Sequence, residues 1–249
     1  ASTALPAAPT SLTKAAGDNQ SGAVGTPLAD SVVVRLLDAS GNGVPGRNVT
    51  FAIATGGGGV SPTSATTDTA GRAAARWTLG PLAGGNSLIA TSSGFSVTFQ
   101  ATGNSAAATT LLSNSSTSQN GTAGLPAAAP PSVRVTDANG NPVAGVSISF
   151  AVSGGGGSIL PVTPIATNAS GIATLTQWVL GTVAGPNTVT ASAAGLTPNL
   201  LTFTATGAAG AAAQLQVQTQ PSSSAQSGVA LAIQPAVRLA DVFGNPVTT

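Results

Sequence analysis

The sequence predicts an all-β protein built from tandem β-sandwich domains, and three observations support this fold class. The composition disfavours helices, since all six acidic residues are aspartate and Lys14 is the only lysine. The 32 glycines and 17 prolines suit turns between strands. Finally, short segments of alternating polarity recur along the chain at intervals of about 100 residues.

Alternating polarity is typical of strands with one buried face. Val146, Ile148 and Phe150 alternate with Ser147 and Ser149. Turn sequences such as Gly-Asn-Pro and Gly-Gly-Gly-Gly separate such runs. The hydrophobic content of 42% is enough for packed cores, although aromatic residues make up only 3%. The pattern therefore predicts short strands that pack as two-sheet sandwiches.

One segment occurs three times. Val34–Val44 recurs as Val133–Val143 and as Val237–Val247. Its aspartate stands at positions 38, 137 and 241, so successive copies are 99 and 104 residues apart. A period of about 100 residues is the size of an immunoglobulin-like (Ig-like) sandwich and is too long for a solenoid repeat. We therefore expect tandem Ig-like β-sandwich domains.

These repeats divide the chain into four parts. We expect an N-terminal extension at residues 1–9, a first Ig-like repeat at 10–104, a second at 105–207 and a partial third at 208–249. The linkers between repeats are short, which limits swivelling and favours a moderately stiff rod.

The third repeat is incomplete in this sequence. It supplies candidate strands at Leu215–Val217, Val229–Ile233 and Val237–Leu239. Two or three strands without a second sheet expose apolar faces and unpaired edges. We expect the segment to need further strands. They would come from a continuing chain, from packing on another copy, or from strands donated by a neighbouring subunit.

The recurring Asp-x-x-Gly-Asn sequence predicts a tight turn in every repeat. Aspartate accepts hydrogen bonds from nearby backbone amides, and glycine or asparagine supplies a positive φ. A calcium site is the alternative, but calcium needs several clustered oxygens and each repeat has few carboxylates. The predicted turn residues are Asp38, Gly41, Asn42, Asp137, Gly140, Asn141, Asp241, Gly244 and Asn245.

Large aromatic residues at matching positions predict the cores. Trp77 and Trp178 are 101 residues apart, and Phe51 and Phe150 are 99 residues apart. A repeated tryptophan beside an alternating strand favours core packing over the alternative, a sugar-stacking platform. The predicted core residues are Phe51, Trp77, Phe150, Trp178 and Phe203.

Catalytic chemistry has few residues to work with. The chain lacks histidine, cysteine and glutamate, so no Ser-His or Cys-His pair can form and a carboxylate pair is not expected. The four-glycine runs predict loops or bulges rather than phosphate cradles, because no Gly-Lys-Ser/Thr follows them. We predict no enzyme activity, no cofactor and no metal site.

Charge and hydropathy exclude two further classes of partner. The net charge of +1, without a basic run, argues against nucleic acid. Each apolar stretch is far shorter than the ~20 residues of a membrane-spanning helix. We therefore expect that this segment neither binds nucleic acid nor spans a membrane.

The two repeated turn motifs resemble those of a known family. The sequence Asp-x-x-Gly-Asn-Pro-Val after a Val-Arg-x-x strand, with Asp68–Ala73 or Asn168–Ala173 later, is similar to the bacterial Ig-like repeats of invasin- and intimin-type surface proteins. The resemblance covers nearly the whole chain. It implies repeats that act as spacers, while recognition belongs to a distinct terminal domain, so receptor binding is not carried over.

Three hypotheses follow for the function. The first is a stiff, non-enzymatic spacer or stalk in a secreted or cell-surface bacterial protein. The second is a subunit of a self-assembling extracellular filament joined by inter-subunit strand complementation. The third is an adhesin or glycan-binding module. The partners expected are other copies of the chain or further domains of the same chain.

Overall fold

The computed structural model describes residues 8–248, which contain strands and no helix. The predicted all-β class is confirmed, and no helix in this range could cross a membrane. Contacts divide the chain into two compact units. Unit 1 holds residues 8–107 and 137–141, and unit 2 holds residues 108–136 and 142–248. Most of the expected extension at residues 1–9, and the terminal residue of the partial repeat, lie outside the described residues.

The first repeat, in unit 1, forms two sheets. One sheet has the strand order β1-β3-β7-β5 and the other has the order β2-β9-β8-β4-β6. Neighbouring strands are antiparallel except β2 and β9, which run parallel. Two such sheets with one shared core make the predicted sandwich. The strands are β1 (Pro9–Ala16), β2 (Gln20–Ala23), β3 (Val32–Asp38), β4 (Asn48–Thr55), β5 (Gly58–Ser61), β6 (Ser64–Thr66), β7 (Arg72–Leu79), β8 (Gly84–Ser92) and β9 (Phe95–Asn104).

Strand β7 shows how alternation builds the first core. Ala73, Ala75, Trp77 and Leu79 are buried, whereas Arg72 on the opposite face is exposed. Side chains of a strand point to alternate faces, so small and large apolar residues at every second position fill one side. The same core includes Leu12, Val34, Leu36, Phe51, Leu88 and Phe99.

The second repeat, in unit 2, has equivalent strands. One sheet has the order β11-β19-β18-β13-β15, with β11 parallel to β19. The opposite side consists of β10-β12-β16 and the pair β14-β17. The strands are β10 (Thr110–Ser113), β11 (Ser118–Thr122), β12 (Ser132–Thr136), β13 (Ser147–Gly154), β14 (Ser158–Leu160), β15 (Ile165–Ala166), β16 (Ile172–Thr174), β17 (Gln177–Val179), β18 (Gly185–Ser192) and β19 (Leu200–Ala208).

Strands β16 and β17 together correspond to β7, but this stretch of the chain is one residue longer than its counterpart in the first repeat. Buried Ala75 and Trp77 are two positions apart, whereas buried Leu175 and Trp178 are three apart. An added residue makes a bulge that keeps both flanking side chains inside. Pro131 contributes to the break, because its carbonyl accepts the Leu175 N–H at 3.0 Å but proline has no N–H to return the bond.

All five aromatic residues predicted for the cores lie in the interior. Phe150 is the most accessible of them, at 8% exposure. Trp77 and Trp178 are fully buried, and the indole Nε1 of each has no hydrogen-bond partner. Both rings therefore contribute through apolar packing.

The partial third repeat forms a two-stranded antiparallel sheet within unit 2, from β20 (Gln214–Thr219) and β21 (Ala236–Ala240). Leu215 lies opposite Leu239 in this sheet. These side chains are 69% and 41% exposed, respectively, whereas the counterpart of Leu239 in the second repeat, Val135, is fully buried. One apolar face of the third repeat is therefore uncovered.

The strand predicted at Val229–Ile233 is wrong. The segment instead follows a turn in which the Val229 N–H donates to the Gln226 carbonyl at 3.1 Å. The second repeat has the same turn 104 residues earlier, where the Leu125 N–H donates to the Thr122 carbonyl at 3.1 Å and Gly124, like Gly228, has a positive φ. Val229–Ile233 therefore takes the place of residues 125–129, which lie between β11 and β12 and form no strand in the second repeat either.

Candidate functional site

The three predicted turns share one backbone geometry. In Asp38–Asn42, the Asp38 N–H donates to the Asn42 carbonyl and the Gly41 N–H donates to the Asp38 carbonyl, both at 3.0 Å. Asp137–Asn141 and Asp241–Asn245 repeat the two bonds at 2.9 and 3.1 Å. The glycine of each turn has a φ of 78°, 83° or 89°, a conformation that glycine adopts without strain.

The aspartate carboxylate holds each turn closed. In all three turns its Oδ1 accepts the backbone N–H groups two and four residues later, at 2.8–2.9 Å. The side-chain amide of the asparagine four residues on donates to Oδ2. The predicted role of aspartate as an acceptor of nearby amides matches this geometry.

In unit 1, Asn141 also bonds to a loop about 60 residues earlier in the chain. Its Nδ2 donates to the Pro81 carbonyl at 2.8 Å and to Asp137 Oδ2 at 2.9 Å. Its Oδ1 accepts the Ala83 N–H at 2.8 Å. The side chain is only 6% exposed, so these bonds satisfy an amide that is withdrawn from water.

In unit 2, Asn245 makes the same set of contacts. Its Nδ2 donates to the Thr182 carbonyl and to Asp241 Oδ2, both at 2.8 Å. Its Oδ1 accepts the Ala184 N–H at 2.8 Å, and the side chain is 7% exposed. We call Asp137–Asn141 and Asp241–Asn245 the docking turns.

The second carboxylate oxygen binds the linker that precedes each docking turn. Asp137 Oδ2 accepts the Ala106 N–H and Asp241 Oδ2 accepts the Gly210 N–H, both at 2.9 Å. Burial acts to raise each aspartate's pKa, but hydrogen bonds from the asparagine side chain and the backbone amides outweigh it. The pKa of Asp137 is therefore lowered, and that of Asp241 is lowered to about 2.

The loops that bind the docking turns are repeated as well. Residues 80–86 and 181–187, which we call the receiving loops, share the pattern Gly-x-x-Ala-Gly-x-Asn. A Cβ added to Gly80 or Gly181 would stand 1.9 or 1.8 Å from a glycine carbonyl of the four-glycine run, so a side chain is excluded there. At the far end, Asn187 Oδ1 accepts the Gly181 N–H at 2.8 Å, which ties the loop ends together.

Sequence reasoning assigned no role to the receiving loops. The 101-residue spacing that links the two loops is visible at Gly80 and Gly181, and Ala83 and Ala184 share it. That spacing is the sequence signal from which the loops could have been found. It marks the loops as repeated but does not identify their partner, because the bonded residues are distant in the chain.

The two docking turns differ in apolar packing. Phe243 covers Gly124, since a Cβ added there would stand 2.4 Å from the phenyl ring. Asn139 occupies the position of Phe243 in the other turn. Gly25 corresponds to Gly124, and a Cβ added to Gly25 would meet nothing within 4 Å. Only the turn in unit 2 therefore adds an aromatic contact to its hydrogen bonds.

The geometry does not favour the alternative sites, which were a sugar-stacking tryptophan, a calcium site and a phosphate-binding glycine run. Both tryptophans are fully buried, so neither offers a ring face to a sugar. Within residues 8–248, no three metal-ligating side chains cluster, and both carboxylate oxygens of Asp137 already accept amide hydrogens. The glycine run at 56–59 connects β4 in one sheet with β5 in the other, and φ is positive at Gly56–Gly58.

A comparison with known protein families finds a match within the second repeat. Residues 126–206, about a third of the chain, match the model of the bacterial Ig-like domain (group 1). This match confirms the resemblance inferred from the turn motifs. No curated protein sequence matches the chain.

Solved structures share the tandem Ig-like fold. The Escherichia coli adhesin FdeC matches with a TM-score of 0.62 at 19% identity, over 98% of this chain and 78% of that chain. InvD of Yersinia pseudotuberculosis matches with a TM-score of 0.54 at 21% identity, over 95% of this chain and 71% of that chain. At such low identity the likeness establishes the fold and not a shared ligand.

Proposed function

We propose that this chain is a stiff, non-enzymatic spacer of Ig-like repeats in a secreted or cell-surface bacterial protein. The observation that carries the proposal is the docking turn. Asn141 and Asn245 each bond to a backbone carbonyl and a backbone N–H of a receiving loop while also bonding to their own aspartate.

These contacts resist swivelling for an energetic reason. If a docking turn moved off its loop, the buried amide of Asn141 or Asn245 would lose two hydrogen-bond partners, which costs about 1–3 kcal/mol for each group that stays dry. The linkers add a second restraint, because Ala106 and Gly210 are themselves bonded to the aspartates of the docking turns. These two restraints support the proposal of a stiff spacer.

The family match, the shared fold and the composition support the proposed location at the bacterial surface. Residues 126–206 match the model of the bacterial Ig-like domain, and FdeC, which shares the fold, is an adhesin. The chain has only 5% charged residues and is rich in glycine. These features favour a repeat region of a surface protein over an electrostatic binding module.

The non-enzymatic part of the proposal rests on composition. General acid–base and nucleophilic catalysis depend mostly on histidine, cysteine, glutamate or paired carboxylates. The sequence has none of the first three, and aspartate, with six residues, is its only acidic residue type. The aspartates of the docking turns have structural partners for both oxygens.

Distance measurements between spin labels test the spacer proposal. The chain has no cysteine, so a Thr98→Cys/Thr202→Cys variant can be labelled at two exposed positions without other changes. We expect one narrow distance distribution, which Asn141→Ala should broaden. Asn139→Ala, which alters an exposed residue of the same turn, is the matched control. A broad distribution in the unaltered background would contradict the proposal.

A filament subunit is the second candidate, and the uncovered face of the third repeat favours it. Val217 and Val237 lie opposite each other in β20 and β21 and are 58% and 62% exposed, respectively. Strands from another copy could cover this face by β-strand addition. Analytical ultracentrifugation and electron microscopy of the intact chain test this idea. A strictly monomeric chain at high concentration would count against it.

A glycan-binding module, the third hypothesis, receives no support from the tryptophans, because their indoles are fully buried. Its adhesive form rests only on the fold shared with FdeC, which does not identify a ligand.

A further inference from the structure

The turn Asp38–Asn42 has the geometry of a docking turn but a different environment at its asparagine. Asn42 is exposed, whereas Asn141 and Asn245 are 6% and 7% exposed. Among residues 8–248, the Asn42 side chain makes one hydrogen bond, from Nδ2 to Asp38 Oδ2 at 3.2 Å. Its second Nδ2 hydrogen and its Oδ1 correspond to the groups that bind receiving loops in the other two turns.

We propose that Asp38–Asn42 is a third docking turn, and that its occupant is the Gly-x-x-Ala-Gly loop of another Ig-like repeat of this kind. The inference rests on the proposed spacer function, since it extends the same joint by one repeat. The support comes from two other turns of this chain. Both have the same hydrogen bonds and the same Asp-x-x-Gly-Asn pattern, and both are bound to such loops.

The chemistry of the occupant follows from the two observed cases. Each receiving loop presents a carbonyl and, two residues later, an N–H: those of Pro81 and Ala83, or of Thr182 and Ala184. Proline and threonine are equivalent in this role, so the turn recognises backbone rather than a side chain. A primary amide suits this task because it donates and accepts at the same time.

The surface around Asn42 fits a backbone loop. Ala39, Ser40 and Gly41 are small, uncharged and exposed. Small neighbours allow the close approach that hydrogen bonds of 2.8 Å require. A charged ligand would find no complementary charge on these residues, whereas a loop with a glycine at each end would meet no steric obstacle from them.

The number of residues between the linker and the turn also agrees with the two observed cases. Ala106 and Gly210, the linker residues bonded to the docking-turn aspartates, each stand 35 positions before the corresponding asparagine. Position 7 stands 35 positions before Asn42. A repeat joined directly before position 7 therefore reaches the turn with the same number of intervening residues as in the two observed cases.

The test extends the chain by one repeat. A copy of residues 108–209 is placed before position 7, in place of residues 1–6, and supplies a receiving loop with the native spacing. With side-chain ¹⁵N-labelled asparagine, NMR should show the Nδ2 hydrogens of Asn42 exchanging about tenfold more slowly than in the unextended chain. Fast exchange at Asn42, while Asn245 stays protected, would overturn the inference.

A second extended chain guards against a folding failure of the first. It carries a copy of residues 8–105 before position 7 and supplies the other receiving loop. A dispersed NMR spectrum shows which of the extended chains has folded. Slow exchange at Asn42 in every folded extended chain supports the inference, and fast exchange at Asn42 in a folded extended chain overturns it. Asn42→Ala should broaden the spin-label distance between the added repeat and the first repeat.

The outcome is separable from that of the spacer proposal. A narrow Thr98–Thr202 distance together with an unprotected Asn42 would reject only the third docking turn. A broad Thr98–Thr202 distance would reject the spacer, whatever the exchange rate at Asn42.

Discussion

The docking turns in unit 1 and unit 2 make the same hydrogen bonds but differ in apolar contact. Both place an asparagine between a carbonyl and an N–H of a receiving loop. The turn in unit 2 adds Phe243 against Gly124, whereas the turn in unit 1 has Asn139 at that position. The comparison indicates that directional polar contacts define where the turn binds, because they are retained when the apolar packing changes.

The largest effect is expected from Asn141→Asp. The new carboxylate oxygen would face the Pro81 carbonyl and Asp137 Oδ2, which lie 2.8 and 2.9 Å from the present Nδ2, without a hydrogen to share. Three oxygens in contact, two of them on the buried side chains at positions 137 and 141, should lower the free energy of unfolding by about 3 kcal/mol at neutral pH. Urea denaturation measures the loss.

Asn139→Asp is the matched control for that substitution, since it introduces the same charge at an exposed position of the same turn. We expect a change within about 0.5 kcal/mol. Equal losses for Asn139→Asp and Asn141→Asp would mean that net charge, and not the bonded amide, governs this turn.

A pair of glycine substitutions isolates the aromatic contact. Gly25 and Gly124 have φ values of 71° and 76°, so alanine strains both by about 1–2 kcal/mol. Only at Gly124 would the new Cβ also collide with Phe243, which should add about 1 kcal/mol or more to the loss of stability. Urea denaturation of Gly25→Ala and Gly124→Ala gives the difference. Equal losses would show that Phe243 moves aside without cost.

Phe243→Ala should have a smaller effect. The ring is 48% exposed, so its removal forfeits only part of the burial energy of a phenylalanine, about 1 kcal/mol. Asn139→Ala removes the counterpart in unit 1 and should change stability by less than about 0.5 kcal/mol. Thermal or urea denaturation of the two variants compares them. A larger loss from Asn139→Ala would reverse our ranking of the two contacts.

Acidification should have no effect on the unit 2 turn until low pH. The folded-state pKa of Asp241 is lowered to about 2, below its unfolded value of about 3.9. The contribution of this carboxylate is therefore complete above about pH 4 and is lost as the pH falls through about 2. An NMR titration of the Gly210 amide and the Asn245 side-chain amide should show this midpoint. A midpoint near that of an ordinary carboxyl would contradict the assigned hydrogen bonds.

Much of the local structure is predictable because it depends on neighbours in the sequence. The Asp-x-x-Gly-Asn pattern predicts a turn whose bonds connect residues two to four positions apart, and those bonds are present. The alternation around Phe150 predicts the buried face of β13. Both features follow from short-range geometry and side-chain period.

Other features depend on pairing partners and are not predictable in the same way. The apolar run at Val229–Ile233 has strand-forming residues, yet it follows a turn and forms no strand. The extra residue between Leu175 and Trp178 is visible as a change in spacing, from 100 residues between Ala75 and Leu175 to 101 between Trp77 and Trp178. Whether such an insertion forms a bulge or a loop depends on which residues must remain in the core.

By itself, the sequence determined the all-β class, the repeat period, the turn geometry and the aromatic core positions, because each depends on composition, periodicity or contacts between near neighbours. Only the tertiary structure decided that Asn141 and Asn245 bind receiving loops, and that Asn42 does not do so within residues 8–248. The three asparagines occupy the same sequence pattern. What separates them is burial against a loop about 60 residues away, and folding rather than local sequence brings such groups together.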